Sequence, residues 1–204
     1  IGNVGATKYA GMDFSNSIWS FQAGGSEVTA TLTKVDNSDD AGFYDPLNDD
    51  ELLKLDPDRL VYSFTYENGS KPIATCPEDT AGGARLVLFG DINVNHNNGD
   101  ITQRDDTIYF GCLSGVVGKT ALYGYAPDSP TATSVSLDEF NLATRALRAD
   151  YCADGTSFTA EGNLVTFRDR YGINAHTEAG FNDEALWGPN GVVCLNRIRL
   201  TGDP

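Results

Sequence analysis

The sequence predicts a mainly β fold, either an antiparallel sandwich or a barrel-like sheet, with one amphipathic helix near residues 137–149 and with disulfide bonds. The 204 residues include nineteen Tyr and Phe against one Met, and aromatic residues favour strands. The 22 glycines suit the tight turns that join short strands. Alternation along Glu27–Val35, which leaves threonines on one face, is the pattern of a half-buried strand.

Residues 1–204 are expected to form a single β-rich domain, with 1–130 and 131–204 as its two lobes if it divides. The formal net charge is −15, which argues against nucleic acid or an anionic membrane as a partner. No apolar run is long enough to span a bilayer, so we expect no transmembrane segment. Because the chain starts at Ile1, we interpret it as the mature product of export.

The helix near residues 137–149 is the only one that the pattern predicts. Ser136 and Glu139 have the spacing of a capping box, in which each side chain bonds to the backbone of the other residue. Phe140, Ala143 and Leu147 then recur at helical spacing. We expect the residues from 116 to 125 to form a strand.

Three hairpins are expected where turn residues separate strand-like runs. Asn68-Gly69 indicates a type I′ turn. Glu161-Gly162 separates two further runs, and Pro189-Asn190-Gly191 separates the last two. The acidic stretch between residues 36 and 58 is expected to be a long surface loop with a short helical turn at 49–55.

A polar stretch at residues 91–106 has two interpretations. It places oxygen-bearing side chains at nearly alternating positions, as calcium-binding loops do; the candidate ligands are Asp91, Asn93, Asn95, Asn97 and Asp100. The match to an EF-hand loop is imperfect because no glutamate stands at its closing position. Asn, Asp and Gly are also the residues of a long hairpin turn. The sequence therefore suggests calcium as the one candidate cofactor and leaves a plain turn as the alternative.

No catalytic residue is assigned. Gly118-Lys119-Thr120 resembles the end of a phosphate-binding P-loop, but Leu113 stands where that motif needs a glycine. The two histidines, His96 and His176, lie in no nucleophile motif. Adjacent carboxylates carry little information in so acidic a chain; they are Asp49, Asp50, Glu51, Asp105 and Asp106.

The four cysteines are expected to form two disulfides. Cys76, Cys112, Cys152 and Cys194 contain no C-x-x-C pair of the kind that marks a zinc site or a thioredoxin-like motif. Disulfides persist in oxidising compartments, so the cysteines favour a secreted protein. Spacing alone leaves all three pairings open.

The run Ala149-Asp150-Tyr151-Cys152, followed by Asp154-Gly155, resembles the signature of the ADYC-domain family. Other segments are similar in the same order, including the run from residue 85 to residue 91 and that from residue 185 to Cys194. The family comprises secreted or lipid-anchored proteins found chiefly in myxobacteria, and no activity is assigned to it. The resemblance therefore implies a compartment and an architecture, and no reaction.

The resemblance also implies a disulfide pairing and a role for the signature. Members often carry two further cysteines, at positions held here by Thr120 and approximately Ala143; their joint absence implies the pairs Cys76–Cys112 and Cys152–Cys194. Asp150 is expected to accept hydrogen bonds from the backbone or from Arg148 or Arg168. Tyr151 is expected to pack inward, so that the signature forms a structural corner.

Taken together, the sequence predicts a secreted protein, extracellular or at the cell surface, that acts as a binding or structural protein. Its expected partner is either an extracellular glycan or another copy of itself, as in a homo-oligomer or filament, with strand-forming residues such as Ile1–Tyr9 available for pairing between subunits. The alternatives are a secreted glycosidase-like hydrolase that uses carboxylates and a calcium-dependent glycan-binding module.

Overall fold

The computed structural model describes most of the chain. The described residues are 2–4, 7–9, 11–38, 55–56, 58–129, 135–160, 163, 165, 167–173, 183–188 and 190–199. The acidic stretch and its expected helical turn at 49–55 lie almost wholly outside the described residues.

The fold is mainly β and antiparallel, as the sequence predicts, and it contains a disulfide. Its strands are β1 (Gly2–Val4), β2 (Thr7–Tyr9), β3 (Ile18–Ala23), β4 (Ser26–Asn37), β5 (Leu60–Asn68), β6 (Lys71–Ala74), β7 (Leu86–Val94), β8 (Ile101–Cys112), β9 (Ala185–Gly188) and β10 (Gly191–Leu195). Five strands form the path β3-β4-β5-β7-β8, and β6 pairs with β5. The pairs β1–β2 and β9–β10 are separate two-stranded sheets. A short 3₁₀ helix, Gly11–Phe14, precedes β3.

An aromatic core fills the concave face of the six-stranded sheet. Phe64, on the central strand β5, is fully buried. The ring of Phe110 on β8 lies 5.1 Å from it and the ring of Trp19 on β3 lies 5.5 Å from it, measured between centroids. Aromatic pairs at these separations add to the free energy that burial alone supplies. Strands from both ends of the sheet therefore pack into the same core.

Two helices cover the other face of the sheet, α1 (Val116–Leu122) and α2 (Leu137–Arg148). Phe140 of α2 is fully buried, and its ring lies 5.3 Å from that of Phe89 on β7. The predicted capping box is confirmed, because the side chains of Ser136 and Glu139 each bond to the backbone of the other residue. The helix ends at Ala149, which adopts the left-handed conformation at φ +56°.

Helix α1 corrects the strand that was expected from residue 116 to residue 125. The buried residues Val117, Thr120 and Ala121 recur at helical spacing, a period that the β-branched and aromatic composition of this stretch hides. Gly118 permits the close approach of α1 to β8, since a Cβ there would lie 2.5 Å from the carbonyl oxygens of both Gly111 and Cys112. The glycine is thus needed for backbone packing and not for phosphate binding.

A bulge in β4 modifies the expected alternation. Leu32 and Thr33 face opposite sides of the sheet as predicted, but the pairing with β5 shifts between Leu32 and Lys34. The extra residue places Val35 on the same side as Leu32, and both are buried. The threonine face is thereby retained while the strand gains another core residue.

The expected hairpins have different outcomes. The last is confirmed as β9–β10. The first is confirmed as β5–β6, but its two-residue turn is Gly69-Ser70 and only Gly69 has a positive φ, as in a type II′ turn. The second was wrong in the part that the structure describes, because residues 156–160 contain no strand.

We expect Ser136→Ala to lower the free energy of unfolding by about 1 kcal/mol at pH 7. The Glu139 carboxylate accepts hydrogen bonds from the Ser136 backbone and hydroxyl, each at 2.8 Å. Partial burial would raise the pKa of Glu139, but hydrogen bonds from Tyr171 and Ser136 and the charge of Arg170 outweigh it and lower the pKa from 4.5 to about 2.

Because the pKa of Glu139 is lower in the folded protein, the capping box stabilises the fold above pH 4.5 and loses that effect as the pH falls towards 2. The difference between wild type and Ser136→Ala should therefore shrink in that window, as urea denaturation at pH 7 and at pH 2.5 would show. Ser70→Ala, in an exposed turn, is the matched control and should change little. A difference independent of pH would contradict this role for Glu139.

Candidate functional site

A groove of about 660 Å³ lies where β3 and β8, the strands at the two ends of the path β3-β4-β5-β7-β8, approach each other. Across the concave side, the ring of Phe21 on β3 lies 5.2 Å from the ring of Phe110 on β8. No described strand pairs with the outer edge of either. The sheet is therefore curled like a barrel that is not completely closed between β3 and β8.

The groove runs along the edge of β8 itself. Tyr109 and Phe110 are consecutive in the strand, so their side chains point to opposite faces of the sheet. Tyr109 packs with the helix-side core and Phe110 with the aromatic core. Both line the groove, and a cavity that touches both faces of one strand must lie at the edge of that strand.

The groove lining is mostly apolar, with a few polar groups towards one end. Ile108, next to Tyr109, is 51% exposed. His96 lies beside Tyr109, with 6.5 Å between the ring centroids, and Arg148 also lines the groove. Burial raises the pKa of Tyr109, so its hydroxyl stays protonated and can donate a hydrogen bond.

Carboxylates are not part of the groove. Among its described lining residues there is no aspartate or glutamate. The exposed pair Asp105 and Asp106 lies on an outward irregularity of β8, while Asp49, Asp50 and Glu51 lie outside the described residues. The hydrolase alternative thus gains no support from this cavity.

Three of the candidate calcium residues, Asn95, Asn97 and Asp100, lie in the turn between β7 and β8, while Asp91 and Asn93 lie on β7. Asp91 has a left-handed backbone at φ +57°, and its Oδ1 accepts a hydrogen bond from the Asp106 amide at 2.9 Å. Oδ1 of Asn95 accepts a hydrogen bond from the amide of Asn97, also at 2.9 Å. The Asn95 side chain thus caps the backbone of the turn, as Asn does in Asx turns, whereas Asp91 bonds across the irregularity between β7 and β8.

Asp100 completes that turn through charged and amide partners. Its carboxylate pairs with the Arg145 guanidinium of α2 and accepts a hydrogen bond from the Asn98 amide group at 2.6 Å. Asn93 accepts a weak bond from Arg104 at 3.4 Å. Within the described ranges, no three side chains of His, Cys, Asp or Glu are grouped as a metal site would require.

Calcium binding by this turn stays a prediction, and a melting experiment decides it. If calcium binds, the melting temperature in millimolar calcium should exceed that in chelator, because a ligand stabilises the state that binds it. Asp91→Asn should then reduce the difference. Equal melting temperatures with and without chelator would exclude the site.

The signature Ala149–Cys152 forms a corner at the end of α2, as expected. The fully buried carboxylate of Asp150 accepts hydrogen bonds from the amides of Asp154 at 3.1 Å and Gly155 at 3.2 Å. It also pairs with Arg148 at 2.5 Å, one of its two expected partners. Asp150 thus folds the chain back after the helix.

Tyr151 packs inward, as predicted, and joins the corner to the last hairpin. Its ring stacks on Trp187 of β9, with 5.5 Å between centroids and 20° between planes. Burial, and to a smaller extent the hydrogen bond to Glu184, raise the pKa of Tyr151 from 10.0 to about 12. The neutral hydroxyl therefore donates to Glu184 at 2.8 Å and accepts from the amide of Arg199 at 2.7 Å.

Arg199 and Glu184 belong to this corner, although the sequence did not indicate them. The Arg199 guanidinium donates to the carbonyl oxygens of Ala146 at 2.9 Å and Leu147 at 2.8 Å, so it caps the C-terminus of α2. It also forms two hydrogen bonds with Glu184, at 2.9 and 3.0 Å. Arg199 is about 50 residues from the helix it caps, and no local pattern reveals such a partner.

One of the two expected disulfides is present, the bridge between Cys76 and Cys112. The second expected bridge is not, because Cys152 and Cys194 are free and exposed in the structure. Cys194 pairs with Leu186 across the hairpin, and Val192 pairs with Trp187. Since Leu186 and Trp187 point to opposite faces, Cys194 lies on the face away from Tyr151 and its neighbour Cys152.

No helix among the described residues is both long and apolar enough to cross a bilayer.

Comparison with protein families matches the ADYC domain over residues 11–201. The comparisons found no match among the curated proteins or the solved structures.

Proposed function

Since the chain belongs to the ADYC domain family, we propose that it is a secreted protein that acts outside the cell as a binding or structural component, in the form of a subunit of an extracellular assembly. The observation that carries this proposal is the groove between the edges of β3 and β8. Exposed strand edges are surfaces to which other strands add. An apolar groove along such an edge is suited to a partner chain.

The disulfide supports the compartment. Cys76 is buried, with only 5% of its surface exposed, and the bridge links the segment after β6 to the end of β8. Such bonds form and persist in oxidising environments and are rare in the cytosol. The resemblance to secreted or lipid-anchored proteins points the same way.

The construction of the corner supports a structural role. The side chains of Asp150 and Arg199 bond to backbone groups, and the Tyr151 hydroxyl bonds to Glu184 and to the Arg199 amide. These bonds hold the end of α2 against the β9–β10 hairpin. The signature by which this sequence resembles the family therefore has an internal role in stability.

Labelling of cells tests the location. An antibody against the folded protein should detect it in the medium or on intact cells before permeabilisation, with a cytosolic protein as the negative control. Gel analysis of the native protein without reductant should show the Cys76–Cys112 link. Detection only after permeabilisation would overturn the proposal.

A further inference from the structure

We propose that the groove between β3 and β8 receives the N-terminal segment Gly2–Tyr9 of a second copy of this chain, which inserts as an additional strand. This inference rests on the proposed extracellular assembly and names the contact by which the copies join. Two features of the described residues motivate this inference. One is the incompletely closed six-stranded sheet, and the other is the strand pair β1–β2, which is separate from that sheet.

The acceptor offers both backbone and side-chain contacts. The outer edges of β3 and β8 leave amide and carbonyl groups without a described strand partner, and such groups bind an added strand through main-chain hydrogen bonds. Side chains of an inserted strand alternate between two faces. Phe110 and Tyr109, which line the groove from the two faces of the sheet, are placed to meet both sets.

The donor is a segment whose described strands pair with each other. β1 and β2 form a two-stranded sheet that pairs with no other strand among the described residues, and an isolated pair of strands is marginally stable in water. The segment also lies before residue 11, where the family match begins. Opening this pair therefore costs little and leaves the ADYC domain intact.

The overall charge of the protein favours this donor, although the described lining of the groove itself contains no carboxylate. Residues 1–12 contain Lys8 and no acidic residue, so the remainder of a chain of net charge −15 carries −16. Two acidic bodies repel one another over about 8 Å at physiological salt. A basic segment is attracted to such a body at long range, whereas pairing β8 with another β8 would bring two acidic bodies together without that attraction.

Donor and acceptor are different surfaces, so the contact joins copies head to tail. In its own copy the segment is followed at once by the 3₁₀ helix Gly11–Phe14, and the next residues are held on β4, where the Asn16 amide donates to the Leu32 carbonyl at 2.6 Å. A heterologous contact of this kind generates rings or open filaments. The expected product is thus a chain of subunits.

Light scattering on the full chain, coupled to size-exclusion chromatography, tests the contact. Wild type should show a mass that rises with concentration above the 21.9 kDa of one copy. Ile108→Lys, at the groove, should shift assembly to at least about tenfold higher concentration, which corresponds to 1.4 kcal/mol. Ile73→Lys is the matched control, since Ile73 is also on an edge strand and is 39% exposed, but lies outside the groove.

A second variant keeps the test independent of folding. Val4→Pro with Thr7→Pro removes two backbone amides from the donor strands and should abolish assembly, while a synthetic peptide of residues 1–10 should still bind this variant and should lower the mass of wild type. A scrambled peptide should do neither. Assembly that survives the two prolines, or equal binding of the scrambled peptide, would overturn strand donation. A wild type that is monomeric yet located outside the cell would overturn it and leave the extracellular location standing.

Discussion

Replacing both Cys76 and Cys112 by alanine is expected to lower the free energy of unfolding by about 4 kcal/mol. The bridge joins residues 36 positions apart, and a cross-link of this span removes that amount of loop entropy from the unfolded chain. For a domain of this size the melting temperature should fall by roughly 8–16 °C. Calorimetry and guanidinium denaturation of the double variant, compared with wild type, measure both quantities.

The other two cysteines supply the control. Cys152 and Cys194 are free and exposed, so replacing both by alanine should change the stability by no more than about 0.5 kcal/mol. A loss equal to that of the first pair would show that a second bridge exists and would contradict the structure. An unchanged melting temperature after removal of Cys76 and Cys112 would contradict the stabilising role of the bridge between them.

Asp150→Ala should cost about 3–5 kcal/mol, because removal of one partner leaves the other charge of a buried pair uncompensated. The carboxylate is fully buried, and without it the amides of Asp154 and Gly155 lose their acceptor. The Arg148 guanidinium, whose side chain is 15% exposed, loses its carboxylate partner. Urea denaturation at pH 7 gives the difference in free energy directly.

Asp154→Ala is the matched control four residues away. Its carboxylate is exposed and accepts a hydrogen bond from the Thr156 amide at 2.9 Å, so its loss should lower the stability far less than the loss of the buried Asp150 carboxylate. Equal effects of the two substitutions would mean that the corner depends on the turn as a whole. In that case Asp150 would not have the central role that its burial and its three partners indicate.

Local patterns were enough to predict the fold class, helix α2 and the last hairpin. The capping box of Ser136 and Glu139 and the spacing of Phe140 and Ala143 act within a few residues, and their physics does not depend on the rest of the chain. Helix α1 was missed for the opposite reason. The strand propensity of residues 116–125 is overridden by packing on β8, where Gly118 allows the helix backbone to approach Cys112.

The groove could not be predicted, because its lining comes from distant parts of the chain. Phe21 and Phe110 are 89 positions apart in the sequence and meet only because the sheet curls. Residues 91–106, by contrast, stood out in the sequence through their composition, and the structure shows Asn95, Asn98 and Asp100 stabilising a turn while Asp91 bonds across the neighbouring strand irregularity. Composition identified a segment, and only the fold showed how its oxygen atoms are used.

The antiparallel β class, the resemblance to the ADYC family and the corner that its signature forms could all be predicted before the fold was known, because each depends on residues close together in the chain. Asp150 and Tyr151 took the positions expected of them for this reason. Three features became apparent only in the folded protein: Arg199 caps α2, Cys152 and Cys194 remain unbridged, and the sheet is not closed between β3 and β8. Those features depend on how far the sheet curls and on which side of a strand each residue faces, and both are set by long-range packing.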